Sequence, residues 1–198
     1  MNSFVLKGNL CYSESADRIR LIPNGYLVCE DGVCRGAFET LPEQYANLPL
    51  RDFGDRIIIP GLIDLHVHAP QFAFRGLGMD MELLDWLNTY TFPEESKYAE
   101  LAYADRAYMQ FVDHLHRSAT TRAAVFATTH VPATELLMEK MEASGLVSYV
   151  GKVNMDRNSP DYLRETDAAA SVAATEEWIC HTRDRFENTK PILTPRFV

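Results

Sequence analysis

Asp64, His66 and His68 are the residues of this chain whose types and spacing can do chemistry. In an extended strand, side chains two apart share a face, so Asp64-Leu65-His66-Val67-His68 presents a carboxylate and two imidazoles to one side. Two neutral imidazoles, each able to sit ~2.0–2.1 Å from a zinc ion, make half of a catalytic metal site. At the carboxyl end of a barrel strand, that side is where active sites assemble. Spacing alone proves little. Six histidines in 198 residues yield roughly 0.2 H-x-H pairs by chance, and the chain holds a second pair, His114-Leu115-His116. That pair falls in a helical stretch, where side chains two apart diverge by about 200° and cannot share a metal. It reads as surface or partly buried helix histidines. What sets His66 and His68 apart is the strand they lie on and the Pro60-Gly61 entry to it.

Two more polar residues sit where strands are expected to end. His130 follows Ala127-Thr128-Thr129 and faces the rim, either as a third ligand or as a hydrogen-bonded rim histidine. Lys152 is a bridging or anchoring cation or, more ordinarily, half of an ion pair with a carboxylate. His181 falls mid-helix and reads as structural.

Residues 1–56 read as a small β-module: strands over Phe4–Tyr12, Gly25–Cys29 and Val33–Phe38, with Pro23-Asn24-Gly25 and Asp31-Gly32 between them, the second a hairpin signal. A short helix is expected near Pro42–Ala46. From Ile57 the rhythm changes. Ile57 to Leu65 is a near-continuous apolar run, the pattern of a parallel strand covered on both faces. Helices are expected over Met81–Tyr90 and Glu94–Arg117, split by Pro93. Ala123–Ala127 is a second strand, Pro132–Ser144 a helix closed by Gly145, Leu146–Val153 a third strand, Ala168–Phe186 a helix, and Pro191–Thr194 opens a fourth strand. This alternation predicts an α/β fold, about four β/α units of a partial (β/α)8 TIM-like barrel over 57–198 behind the β-module. Such a barrel typically needs ~250 residues, so the barrel is expected to be cut short. An open doubly wound sheet is disfavoured, because no Gly-rich phosphate turn follows the first strand.

The formal charge of −9 with dispersed Lys and Arg argues against nucleic acid as a partner, since phosphate backbones are held by basic patches. No window approaches the ~20 apolar residues of a membrane span, and the N-terminus lacks the apolar core of a signal peptide. Cys11, Cys29, Cys34 and Cys180 form no C-x-x-C pair, so a reduced, cytoplasmic protein is expected.

At the metal motif the chain becomes recognisable. Pro60-Gly61-Leu62-Ile63-Asp64-Leu65-His66-Val67-His68 resembles the first-strand motif of the amidohydrolase superfamily. His68-Ala69-Pro70-Gln71, Leu83-Leu84-Asp85-Trp86-Leu87, Tyr90-Thr91-Phe92-Pro93, Phe126-Ala127-Thr128-Thr129-His130, Val150-Gly151-Lys152-Val153-Asn154-Met155-Asp156 and Lys190-Pro191-Ile192-Leu193-Thr194-Pro195-Arg196-Phe197 resemble, in order, the guanine deaminase family. The β-module matches in position more than in wording. One departure is Ser118-Ala119-Thr120-Thr121-Arg122, where a Gly-Thr-Thr-Thr-like entry is common.

The resemblance implies a zinc enzyme that converts guanine to xanthine and ammonia, binding one Zn2+ through His66 and His68. His68, Gln71, Arg196 and Phe197 would hold the purine. From the residues alone, Arg196 and Phe197 read instead as a salt-bridged rim residue and a core aromatic; the resemblance turns the reading toward the substrate. The family's remaining ligands and its proton-carrying Glu match nothing before Val198, so no catalytic acid–base residue is expected within this chain, and the chain by itself is expected to be inactive. A homodimer is expected of the whole protein. A bridging lysine of two-metal relatives has no counterpart in Thr194-Pro195-Arg196, and the H-x-E with P-C-x-x-C of another deaminase fold is absent. Two other readings stay open: an amidohydrolase for a cyclic amide or another base, and a non-catalytic half-barrel that pairs with a partner.

Overall fold

The structure is a computed structural model and describes residues 2–197. Two compact units follow one another along the chain, Met1–Pro60 and Gly61–Val198.

The first unit is one four-stranded sheet. β1 (Phe4–Ser15), β2 (Arg18–Glu30), β3 (Val33–Phe38) and β4 (Leu50–Ile58) lie in the order β3-β2-β1-β4, with β4 parallel to β1 and the other pairs antiparallel. Asp31 and Gly32, both at positive φ (52° and 77°), make the tight β2–β3 turn that their sequence signals. Pro23-Asn24-Gly25, expected between strands, instead lies inside β2. The register slips between Gly8↔Gly25 and Leu10↔Ile22, so one extra residue is absorbed as a bulge with Asn24 at φ 50°. Pro23 is tolerated there because a bulge needs no ladder N–H. The expected short helix appears as a 3-10 turn, Glu43–Tyr45.

The expected single strand from Ile57 to Leu65 is two strands in two units. β4 stops at Ile58, and β5 (Leu62–His68) begins after Pro60-Gly61. Pro60 has no N–H to continue a ladder. A Cβ on Gly61 would fall 2.1 Å from the Thr121 side chain, so only glycine lets the chain pass. The stretch is also less buried than its composition predicts: Ile57, Ile63 and Leu65 are 69%, 58% and 79% exposed.

In the second unit, parallel strands follow chain order. β5, β6 (Thr120–Phe126), β7 (Val147–Gly151) and β9 (Thr189–Pro191) form one sheet, and β8 (Val153–Met155) pairs with β10 (Thr194–Phe197) in another. The third and fourth expected strands are thus each broken in two. A Cβ on Gly151 would lie 2.2 Å from Thr194, and Thr194 Oγ1 donates to the Lys152 carbonyl at 2.8 Å, so both strands jog together.

The helices are α1 (Leu83–Trp86), α2 (Phe92–Ser96), α3 (Leu101–Arg117), α4 (Val131–Ser144) and α5 (Ala168–Thr182). Pro93 does not break the run as expected. It sits in the first turn of α2, behind a π turn over Leu87–Thr91 that absorbs the missing N–H. The real break is Glu100, extended at φ −89° and ψ 107°, whose side chain accepts from the Ala102 N–H. Gly145, at φ 75°, closes α4. α5 ends at Thr182, four residues before the expected Phe186, and Lys190 donates to the Arg183 and Phe186 carbonyls beyond it.

Tyr108, Phe111 and Leu115 of α3 and Leu137, Met138 and Met141 of α4 bury against Ala123, Val125 and Val150 of the sheet. The 3.6-residue spacing of these apolar positions is what makes the helices lie flat on the strands. Leu137 is fully buried, and Leu137→Ala is expected to cost about 2–5 kcal/mol, read as a shift in urea midpoint at constant slope; a loss below 1 kcal/mol would mean that the packing is looser than described.

Candidate functional site

His66 and His68 emerge on one face of β5, their Nε2 atoms 3.2 Å apart. Two nitrogens bound to one tetrahedral zinc at ~2.0–2.1 Å stand about 3.3 Å from each other, so the pair fits a single cation held between the rings. Phe126 fixes both imidazoles. It is the ladder partner of His68, stacks on that ring at 4.5 Å and 24°, and lies 4.7 Å from the His66 ring. Burial, then the charge of Arg196, then His66, pull His68 down to a pKa of about 3. Its ring is therefore neutral, with a lone pair free to bind a metal. The buried Nδ1 of His68 has no hydrogen-bond partner among the described residues. Asp64 shares the face, but its carboxylate accepts from the His66 N–H at 3.1 Å. No group of three His, Cys, Asp or Glu side chains converges on one point among the described residues.

The histidines open onto a cleft of about 870 Å³. Gln71, Arg196 and Phe197 line it with them, and Trp86, Leu87, Phe74 and Phe126 supply an apolar wall. The five residues expected to hold the metal and the purine, His66, His68, Gln71, Arg196 and Phe197, thus reach one cavity. His114 of α3 also lines it, whereas His116 lines a different depression. The two diverge as a helix requires.

Arg196 is held from behind. Its Nη1 donates to both Oε1 and Oε2 of Glu95 at 2.8 Å, and the two side chains are 11% and 1% exposed. The rings of Phe92 and Phe197 flank the guanidinium at 5.7 and 5.3 Å. Burial pushes the Glu95 carboxyl up, and Arg196 and Gln71 pull against it. The salt-bridged and the cleft-lining readings of Arg196 are both realised. Glu95 and Phe126 are the residues that sequence reasoning missed. Nothing local signals the first, whose partner lies 101 residues later; the aromatic at a strand end beside an H-x-H strand was the available signal for the second.

The other rim residues stand apart from this cleft. Lys152 is 1% exposed and pairs with Glu165, which also accepts from the Met155 N–H and Ser171 Oγ. The ordinary ion-pair reading of Lys152 is the one found. His130 begins α4, and it neither lines the cleft nor finds a partner for its buried Nε2 among the described residues. The expected hydrogen-bonded rim histidine is a desolvated one, its pKa lowered by burial. His181 pairs with Glu135 on the surface, and Arg122 is exposed at the start of β6, which explains why a charge is tolerated there.

The amidohydrolase family pattern matches residues 57–196. The chain belongs to the amidohydrolase family. The match covers the second unit except its last two residues and begins four residues before it, and the α/β fold with its sequential parallel strands is the N-terminal half of that family's TIM-like barrel. Guanine deaminase of Dictyostelium discoideum is 35% identical over 98% of this chain and 47% of its own length. Guanine deaminase of Escherichia coli (strain K12) is 36% identical over 93% of this chain and 42% of its own. The crystal structure of guanine deaminase from C. acetobutylicum with bound guanine in the active site superposes with a TM-score of 0.92 at 45% identity, covering 100% of this chain and 47% of that one. The chain thus spans about half the length of the amidohydrolases it matches. Members of the family are generally metal-dependent, and no helix among the described residues is long and apolar enough to cross a membrane.

Removing the Lys152 charge strands the largely buried Glu165 carboxylate, so Lys152→Met is expected to cost about 3–5 kcal/mol of unfolding free energy, much of it recovered in Lys152→Met/Glu165→Met. Chemical denaturation of both variants checks this; equal stabilities for the single and double variants would show that the pair ties nothing.

Proposed function

We propose that the protein deaminates guanine to xanthine and ammonia with one zinc ion, and that this chain supplies two of its ligands, His66 and His68, and its purine-binding wall. The observation that carries the proposal is the convergence of His66, His68, Gln71, Arg196 and Phe197 on one cleft, in a chain 45% identical to a guanine deaminase solved with guanine in its active site.

The chemistry suits the residue types. Hydrolysis forms a C2–O bond and breaks the C2–N bond to the amine. Zinc, when bound, lowers the pKa of water from 15.7 to about 7. Nη1 of Arg196 is taken by Glu95, which leaves Nε and Nη2 to meet the O6 and N7 acceptors of guanine. Gln71 both donates and accepts at a ring edge, and Phe197 offers an apolar face for the purine. Burial keeps His68 unprotonated, so its ring does not repel a cation. A carboxylate must still carry the proton to the leaving amine. Asp64 is engaged by its own strand and Glu95 by Arg196, so that step is assigned to the portion of the protein that the longer relatives have outside the matched stretch.

In the whole protein, His66→Asn and His68→Asn are each expected to weaken zinc binding by more than about 100-fold, beyond the 10- to 100-fold of an outer-sphere loss. His114→Asn, on the helix wall of the same cleft, is expected to leave it unchanged. Competition with a chromophoric chelator reads zinc affinity, and xanthine absorbance reads turnover. Guanine consumption by a metal-free protein, or by both strand variants, would end this reading. A polypeptide of these 198 residues alone is expected to release no xanthine, with host enzyme excluded, because the acid–base carboxylate is missing.

A further inference from the structure

The Glu95–Arg196 pair has a geometry that serves more than stability. A carboxylate 1% exposed is costly to desolvate, and an apolar pair of similar volume is often as stable or more so. Its partner comes from a strand 101 residues later, and that partner faces the cleft. The helix carrying Glu95 is set by the π turn over Leu87–Thr91. A π turn adds a residue to one helical turn, which rotates everything after it by about 100°. The residues before and within that turn, Trp86 and Leu87, line the cleft. After it, Glu95 meets Arg196, while its neighbour Glu94 turns away to Lys97 and Tyr103. Phe92 comes from the same helix and flanks the guanidinium, so α2 presents both a carboxylate and a ring to one side chain. Gln71 acts on the same carboxylate.

We infer that Glu95 is a positioning residue for base selection: it clamps Arg196 by one nitrogen, so that the remaining N–H groups of the guanidinium are aimed at an oxo group and adjacent ring nitrogen of the bound purine. The inference rests on the guanine reading above. Glu95 does not itself touch the base. Its effect is on which purine is accepted, through the orientation of Arg196.

The test is equilibrium binding of guanine and of 2-aminopurine, which has the same ring and amine but no O6, to the whole protein and its Glu95→Asp and Glu95→Gln variants, with thermal midpoints recorded alongside. Glu95→Asp keeps the charge and shortens the clamp, and whichever variant folds carries the test. Guanine affinity is expected to fall on the order of 10-fold or more, the worth of hydrogen bonds to a charged group, and affinity for 2-aminopurine, which keeps the ring nitrogen but not the oxo group, by a clearly smaller factor. Equal weakening of both bases would reduce Glu95 to a structural role and overturn the inference, as would no weakening of either. An unsubstituted protein that binds neither base overturns the guanine reading itself, and this inference with it.

Discussion

The alternation of side chains along β5 is the constraint on which the cleft depends. Because residues two apart share a face, the strand needs no loop to bring two imidazoles within 3.2 Å of each other. The ladder to β6 then places Phe126 beside His68 at the same level, and its ring buttresses both histidines. Two imidazolium ions at that separation would repel strongly. Burial and the nearby guanidinium remove the difficulty by keeping His68 unprotonated. The same features that make His68 unfavourable for a proton leave its lone pair available to a metal cation.

Positive charge is handled differently a short way along the same wall. Arg196 cannot shed its proton, so it is neutralised by Glu95 from the side away from the cleft. One titratable partner is discharged and the other is paired, which lets a guanidinium and two metal-binding imidazoles share one cavity. Lys152 and Glu165 follow the second solution at the end of the third strand, where Glu165 also binds the Met155 N–H and Ser171. Asn154 extends that network to Ser171 and Thr175 on α5. These links hold the turn beyond β8 to the helix that follows, and so fix the level at which the paired strand β10 delivers Arg196.

Much of this was legible in the sequence because it is local. Strand period placed His66 and His68 together, Gly145 marked a helix end, and Asp31-Gly32 marked a hairpin. What failed was punctuation that tertiary structure overrode. Pro93 signals a helix break, but a π turn immediately before it removes the conflict with the preceding carbonyl. Asn24-Gly25 signals a turn, but the longer pairing of β1 with β2 absorbs it as a bulge. Glu95 was invisible for another reason: its partner is 101 residues away, and no pattern within a single helix encodes that pairing.

The burial along β5 shows why the functional end of the strand is also its firm end. Leu62, Ile63 and Leu65 are 54%, 58% and 79% exposed, whereas Ala69, just past His68, is 1% exposed. Val67 packs against the main core, and Ala69 joins that core directly. Apolar side chains left in water gain little from being ordered, since each forgoes roughly 1.5–3 kcal/mol of burial. In these 198 residues by themselves, opening is therefore cheapest at the entry to the strand, by Leu62, and dearest where the imidazoles emerge. A ligand pair needs its two rings held within fractions of an ångström. The strand meets that demand at its buried end and leaves the compliance at the other.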